Sequence, residues 1–152
     1  MSSVIRRALS HESELLTQIA HASKRHWNYP EAWIEAWRAH LTIAAEFVSA
    51  NDVYVLEDEA AVKGFYGLVM RSSIWWLEHL WVLPEAMRQG IGRELFIHAA
   101  GVARGRGAIE ICIESDPNAE KFYLRMGAQR SGEAVSMIDG KRRSLPQLVF
   151  QL

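Results

Sequence analysis

The chain has 152 residues, 49% of them apolar and 23% charged, with a formal net charge of −1. This is the make-up of one globular domain, residues 1–152, with enough apolar side chains for its own core, and it excludes a disordered chain. There is no basic stripe, no apolar leader and no apolar run long enough to cross a bilayer, so nucleic acid and membrane are not expected as partners and a soluble, cytoplasmic protein is.

Val4 starts a first strand over residues 4–8, and Ser10 has the chemistry of a helix N-cap. Leu15, Leu16, Ile19, Ala20 and Ser23 then recur at helical spacing, which predicts a helix over residues 11–25. Pro30 suits the first turn of a second helix. Its stripe of Trp33, Ile34, Trp37, Leu41 and Val48 runs over about five turns. Asn51 and Asp52 end that helix.

Residues 53–57, 62–70 and 74–83 are rich in Val, Tyr, Phe, Trp and Leu and are separated by short polar pieces. They read as a three-stranded antiparallel meander. Gly64 and Gly67 inside the second of these strands mark a bulge or a close backbone approach. A helix follows over residues 89–104, closed by Gly105 and Gly107, and then an apolar strand over residues 108–113. Cys112, the only cysteine of the chain, lies in that strand and reads as a packed thiol; no disulfide or cysteine metal centre can form within one chain. Ser115-Asp116-Pro117 opens a short helix that Gly127 stops. Strands over residues 128–137 and 145–151, joined around Asp139-Gly140, complete the order β-α-α-β-β-β-α-β-α-β-β. Leu145, Leu148, Val149 and Phe150 would leave an apolar edge on which a homodimer could form.

Chemistry concentrates in two places. The first is the run Val82-Leu83-Pro84 to Gln89-Gly90-Ile91-Gly92-Arg93, where a buried strand stops at a proline and passes through glycines into a helix. The unpaired amides of such a loop and helix start converge, which makes a seat for an anion such as a pyrophosphate. No Gly-Lys-Ser/Thr follows, and a third glycine is missing, so neither a nucleoside-triphosphate loop nor a dinucleotide fingerprint is present. The second is Asp116-Pro117-Asn118-Ala119-Glu120-Lys121-Phe122-Tyr123 with Met126-Gly127-Ala128. Here Asn118 sits in the first helical turn, where its amide can bond a ligand or cap its own helix, and Tyr123 supplies the one strong proton-donor candidate of that helix.

Together, LEHLWVLP leading to QGIGREL, and NAEKFYLRMGA at the right distance after it, strongly resemble the GCN5-related N-acetyltransferase superfamily from about Val62 to Glu133. The resemblance implies an α/β (α+β) acyl-CoA N-acyltransferase fold. Its mixed, mostly antiparallel seven-stranded sheet is flanked by about four helices, and its fourth and fifth strands splay apart. It implies transfer of an acetyl group from acetyl-CoA to a primary amine of a small molecule or peptide, without a metal. It also implies site residues. The backbone of Leu80, Trp81 and Val82 would pair with the pantetheine amides. The amides of Arg88, Gln89, Gly90, Ile91, Gly92 and Arg93 would hold the pyrophosphate, Asn118 would bond the cofactor arm, and Tyr123 would protonate the departing thiolate. One position departs from the pattern: Met87 stands where the family has Arg or Gln, so Arg88 or Arg93 would supply the positive charge there.

The acceptor amine must lose a proton, which calls for a base or a water relay. Glu78 is the favoured candidate, with its neighbour His79 and the loop residue His26 as alternatives. Strict strand alternation would place Glu78 with Trp76 and Leu80, and His79 with Trp75 and Trp81; a bulge in this strand, which the resemblance implies is common, would disturb that alternation. Trp27 and Tyr29 lie in the break between the first two helices, where packing demands them least, and are expected to shape the acceptor pocket. A non-catalytic acyl-CoA-binding or regulatory module on the same fold is the alternative reading.

Overall fold

Val53 and Val55 pack on one side of the central sheet and Tyr54 and Leu56 on the other, so the sheet needs cover on both faces. The computed structural model, which describes residues 3–152, supplies that cover with helices. The strands are β1 (Val4–Arg7), β2 (Asp52–Asp58), β3 (Ala61–Arg71), β4 (Ile74–Val82), β5 (Glu110–Glu114), β6 (Gln129–Ile138) and β7 (Lys141–Gln151). They form a seven-stranded sheet in the order β1-β2-β3-β4-β5-β7-β6. Every neighbouring pair is antiparallel except β4 with β5.

Helices α1 (Ser13–Arg25), α2 (Glu31–Ala36), α3 (Arg38–Leu41) and α4 (Ala45–Ala50) cover one face. Leu16, Ile19, Ile34, Leu41 and Val48 meet Val53, Val55 and Phe65 there. Helices α5 (Ile91–Gly105) and α6 (Glu120–Arg125) cover the other, where Leu95, Phe96, Ala99 and Tyr123 pack on Leu56, Tyr66, Leu77 and Ile111. The mixed sheet, the chain order of its strands and the parallel β4–β5 pair agree with the resemblance.

Three local expectations change. The single five-turn helix after Pro30 is three short ones, broken at Trp37 and again at Thr42, which is extended at φ −90° and ψ 119°. A straight rod would hold its stripe on one line. The two breaks let Ile34, Leu41, Ile43 and Val48 all reach the sheet and bury. Ser10 is not the cap of α1. It begins a 3-10 turn, Ser10–Glu12, and it is the Glu12 carboxylate that accepts the Leu9 amide at 2.9 Å while holding Arg6. Nor is β7 an edge. It starts at Lys141 and lies between β5 and β6, with Leu148 fully buried, so the apolar residues proposed for a dimer edge are used inside the sheet.

Strand β4 carries a bulge. Gly67 pairs with His79 and Leu68 with Leu77, so Glu78 has no partner in β3. The extra residue inverts the alternation. Trp75 and Leu77 face α5, and beyond the bulge so do Leu80 and Val82, whereas Trp81 turns to the α1–α4 side. Strict parity along residues 74–83 therefore ends at Leu77, where the bulge that would disturb it is present.

The two glycines of β3 are close approaches. A Cβ on Gly67 would stand 3.0 Å from the Phe47 ring, and one on Gly64 only 2.8 Å from the Trp81 carbonyl oxygen. Gly64→Ala is accordingly expected to cost about 1–3 kcal/mol through forced separation of β3 and β4. The check is the urea midpoint at constant m-value; an unchanged midpoint would mean that these strands yield freely.

Candidate active site

Strands β4 and β5 share one registered pair, Trp76 with Cys112. Past it β4 runs on to Val82 and β5 to Glu114 without pairing. Leu80, Trp81 and Val82 are paired to Tyr66, Phe65 and Gly64 of β3 on one side only. Their other backbone edge is open, as the splay expected from the resemblance requires. An extended ligand with amides of its own could pair there as an added strand.

The open edge leads into the loop before α5. Arg88 and Gly90 both have left-handed backbones, at φ 66° and 81°. This costs nothing at glycine but strains arginine, a form of strain that persists where a loop must aim its amides. Gly90 is the residue that opens α5, and the first helical bond there runs from the Glu94 amide to the Gly90 carbonyl at 3.0 Å. The amides of Arg88, Gln89, Gly90, Ile91, Gly92 and Arg93 have no acceptor among the described residues. The two glycines serve differently. A Cβ on Gly90 would meet nothing within 4 Å, so its absence leaves the loop's outer side clear, whereas a Cβ on Gly92 would point inward at the Phe122 ring, 3.4 Å away. Arg88 and Arg93 are exposed beside this seat and Met87 is half-buried.

Across the cleft, Asp116 caps the 3-10 turn Pro117–Ala119 by accepting the Asn118 amide at 2.8 Å. It does much more. Lys24 Nζ is 2.6 Å from Asp116 Oδ2 and Arg143 Nη2 is 3.2 Å from the same oxygen. The Tyr29 hydroxyl donates to Asp116 at 2.9 Å and accepts from Arg143 at 2.6 Å. The Asn118 side-chain amide donates to Asp116 at 2.9 Å and to Tyr29 at 3.0 Å, leaving its carbonyl oxygen free. Burial alone would push the Asp116 carboxyl up, but the Lys24 charge and the bonds from Lys24, the Asn118 amide and Tyr29 outweigh it and hold it below the usual carboxylate range. Burial pushes Lys24 down and, with Asp116 beside it, pushes Tyr29 up to about 12. Trp37 backs the group, with Lys24 Nζ 4.2 Å and the Arg143 guanidinium 4.8 Å from its ring centre.

Tyr123 is buried, and its hydroxyl has no hydrogen bond to the described residues. Because no enclosed side-chain oxygen or nitrogen lacks a partner, that hydroxyl reaches accessible space. Burial first, and then the Asp116 charge, raise it well above an ordinary phenol, so it stays protonated. Glu78 is half-buried on the bulge and bonds Arg71 at 2.9 Å. His79 is buried, accepts the Trp81 indole N–H at Nδ1 over 2.9 Å, and is pushed down to about 3 by burial and by His40. Such a ring stays neutral and holds Trp81 in place. His26 and Trp27 are exposed and pack edge to face, 4.7 Å between ring centres. Burial pushes the half-buried Cys112 thiol up, against a nucleophilic role.

A family model described as the acetyltransferase (GNAT) family matches residues 14–128. The chain belongs to this family. It is an acetyl-CoA-dependent N-acetyltransferase of GNAT type. A curated relative, the 5-NmdU N-acetyltransferase of Pseudomonas phage PaMx11, is 25% identical over 135 residues, spanning 87% of this chain and 91% of its own. Among solved structures, a GCN5-related N-acetyltransferase from Rhodopseudomonas palustris superposes with a TM-score of 0.85 at 19% identity, over 100% of this chain and 97% of that one. The PaiA N-acetyltransferase from Thermoplasma acidophilum, in complex with coenzyme A, gives 0.75 at 20% identity and covers 100% of both chains. No helix among the described residues of this GNAT chain is long and apolar enough to cross a membrane.

Sequence reasoning missed Lys24, Asp116 and Arg143 as parts of one site. A lysine four residues after Ala20 and eight after Leu16, on the buried stripe of α1, was the readable signal. Arg143 lies in a Lys-Arg-Arg run beside a tight turn and looks like ordinary solvated charge.

The charge group has a consequence for pH. The folded Asp116 carboxyl titrates below the unfolded one, so on acidification the unfolded chain takes up the proton first. Its contribution is complete above about pH 4 and is lost as pH falls further. Asp116→Asn is expected to cost about 3 kcal/mol at neutral pH, by leaving two enclosed cations with no counter-charge, and to flatten the acid limb. Urea titrations at pH 7 and pH 3 check both.

Proposed function

We propose that this chain moves the acetyl group of acetyl-CoA onto a primary amine by direct attack, with donor and acceptor bound together. The observation that carries this reading is the open backbone edge of Leu80, Trp81 and Val82 running into the acceptor-less amides of residues 88–93. An extended amide arm joined to a pyrophosphate matches that sequence of donors and acceptors in order. Asn118 would add its free carbonyl oxygen to the arm. Arg88 and Arg93 would take over the positive charge that Met87 cannot supply.

Acetyl-CoA supplies an acetyl group already activated as a thioester. The protein's task is to hold, orient and move protons. Tyr123, kept protonated by burial, would donate its phenolic proton to the departing sulfur. Glu78, at the bulge where β4 turns away from β5, would take the acceptor's proton directly or through water. The free amides near Val82 would stabilise the acetyl oxygen as it gains charge. Trp27 and Tyr29 would wall the acceptor pocket. No metal is needed for this chemistry.

Thiol release from acetyl-CoA should depend on an added amine, and 5-NmdU, which the phage relative's name carries, belongs in the amine panel. Tyr123→Phe should lower kcat by about a hundredfold while acetyl-CoA affinity by calorimetry stays within about twofold. Equal turnover would remove Tyr123 from the chemistry. Glu78→Gln should lower kcat/KM at neutral pH by a similar factor; an unchanged kcat/KM would show that the proton leaves by another route.

A further inference from the structure

We infer that the acceptor amine carries an anionic group, a carboxylate or a phosphate, which binds Arg143 and Lys24 at the open end of the β4–β5 cleft. This deepens the proposed transferase reading and rests on it for the word acceptor; the anion site itself does not.

The first ground is charge. Lys24 and Arg143 share one carboxylate, Asp116, and the side chains of all three are nearly enclosed, with 10%, 12% and 14% of their surface exposed. Among the described residues, Asp116 is the one carboxylate that bonds either cation. The cluster therefore holds one positive charge in excess. Uncompensated charge is costly to hold away from water, and a site keeps it where something else brings the counter-charge.

The second ground is unused donors. Within the described residues, the Arg143 side chain bonds only through Nη2, to Tyr29 and to Asp116. Its Nε and Nη1 have no protein acceptor. Because no enclosed side-chain nitrogen lacks a partner, these two nitrogens touch accessible space. A guanidinium with one nitrogen anchored and the others free is half of a two-pronged seat for a carboxylate or phosphate.

The third ground is place. Residues 141–146 of β7 pair only with β6, beyond Glu114, the last residue of β5. This arm brings Arg143 over the end of the cleft. Lys24 comes from the end of α1, Asp116 from the end of β5, and the Trp81 ring on β4 lies 6.0 Å from Lys24 Nζ. Tyr29 and Trp37 form the back wall, 4.9 Å between ring centres. The seat thus adjoins the β4 residues whose backbone edge is open. A plain ammonium would be repelled here. An amine that carries its own anion would be drawn in.

The test reads anion binding without any turnover. Tryptophan emission, which Trp37 and Trp81 make sensitive to this cluster, is titrated with inorganic phosphate and separately with acetate, ionic strength being held with chloride. One of the two anions is expected to give a saturable change. In Arg143→Gln its Kd should rise about ten- to a hundredfold, and in Arg143→Lys it should recover in part. Saturation by acetate alone assigns a carboxylate-bearing acceptor, and by phosphate alone a phosphate-bearing one. No saturable change with either anion would overturn the inference. So would an unaltered Kd in Arg143→Gln that matches the parent by circular dichroism. Among matched amines with and without the anionic group, the charged member should have the higher kcat/KM, and equal values would also overturn it. Failure of acetyl-CoA to bind in calorimetry would instead sink the transferase reading and leave the anion titration standing.

Discussion

Everything at the site depends on β4 and β5 touching once and then parting. In a sheet the default is continuous pairing, since unmet amides and carbonyls are expensive. Here the pairing stops after Trp76 and Cys112. The bulge at Glu78 bends β4 immediately afterwards, and Gly64 allows β3 to follow it at a distance no side chain would permit. One edge of β4 is thereby left free while the other stays anchored. The gap is held open from the far side as well, because Ser115 bonds the Pro146 carbonyl of β7 at 2.8 Å, away from β4.

The same parting creates the charge group. Asp116 follows the end of β5, where the chain leaves the sheet and must cap the turn ahead of α6. Its second oxygen and the empty space beside it draw in Lys24, Tyr29 and Arg143 from three other elements. One carboxylate thus ties α1, the connection to α2, β5 and β7 around the mouth of the cleft. The aromatic faces of Trp37 and Tyr29 partly replace water for the two cations. His79, kept neutral by burial, completes the wall by fixing the Trp81 indole.

Much of this was legible in the chain. The three runs rich in Val, Tyr, Phe and Trp between residues 53 and 83 gave the antiparallel meander of β2, β3 and β4, and Pro84 with Gly90 marked the strand-to-helix turn. Gly64 and Gly67 announced a close approach that the structure realises against Trp81 and Phe47. Where local reasoning failed, long-range packing had prevailed over a sound local pattern. The stripe from Trp33 to Val48 fits a straight helix, yet burying Ile43 and Val48 together required two breaks. The parity along Ile74–Val82 is correct for a regular strand and reverses only because Glu78 has no partner in β3. Leu145 to Phe150 look like an edge until β5 and β6 claim both sides.

The sequence by itself determined most of the elements, the family and the strand-to-helix run proposed to hold the donor. These rest on residues near one another in the chain: a strand, a proline, two glycines and a helix start, whose amides converge through local backbone geometry alone. The tertiary structure decided the charge group proposed for the acceptor. Lys24, Tyr29, Asp116 and Arg143 are scattered over the chain, and each has an ordinary local explanation as helix residue, loop aromatic, cap or turn charge. Only when the parted strands bring them within hydrogen-bonding distance do they become one enclosed group with a charge to spare, because electrostatic coupling depends on separation in space and not on separation along the chain.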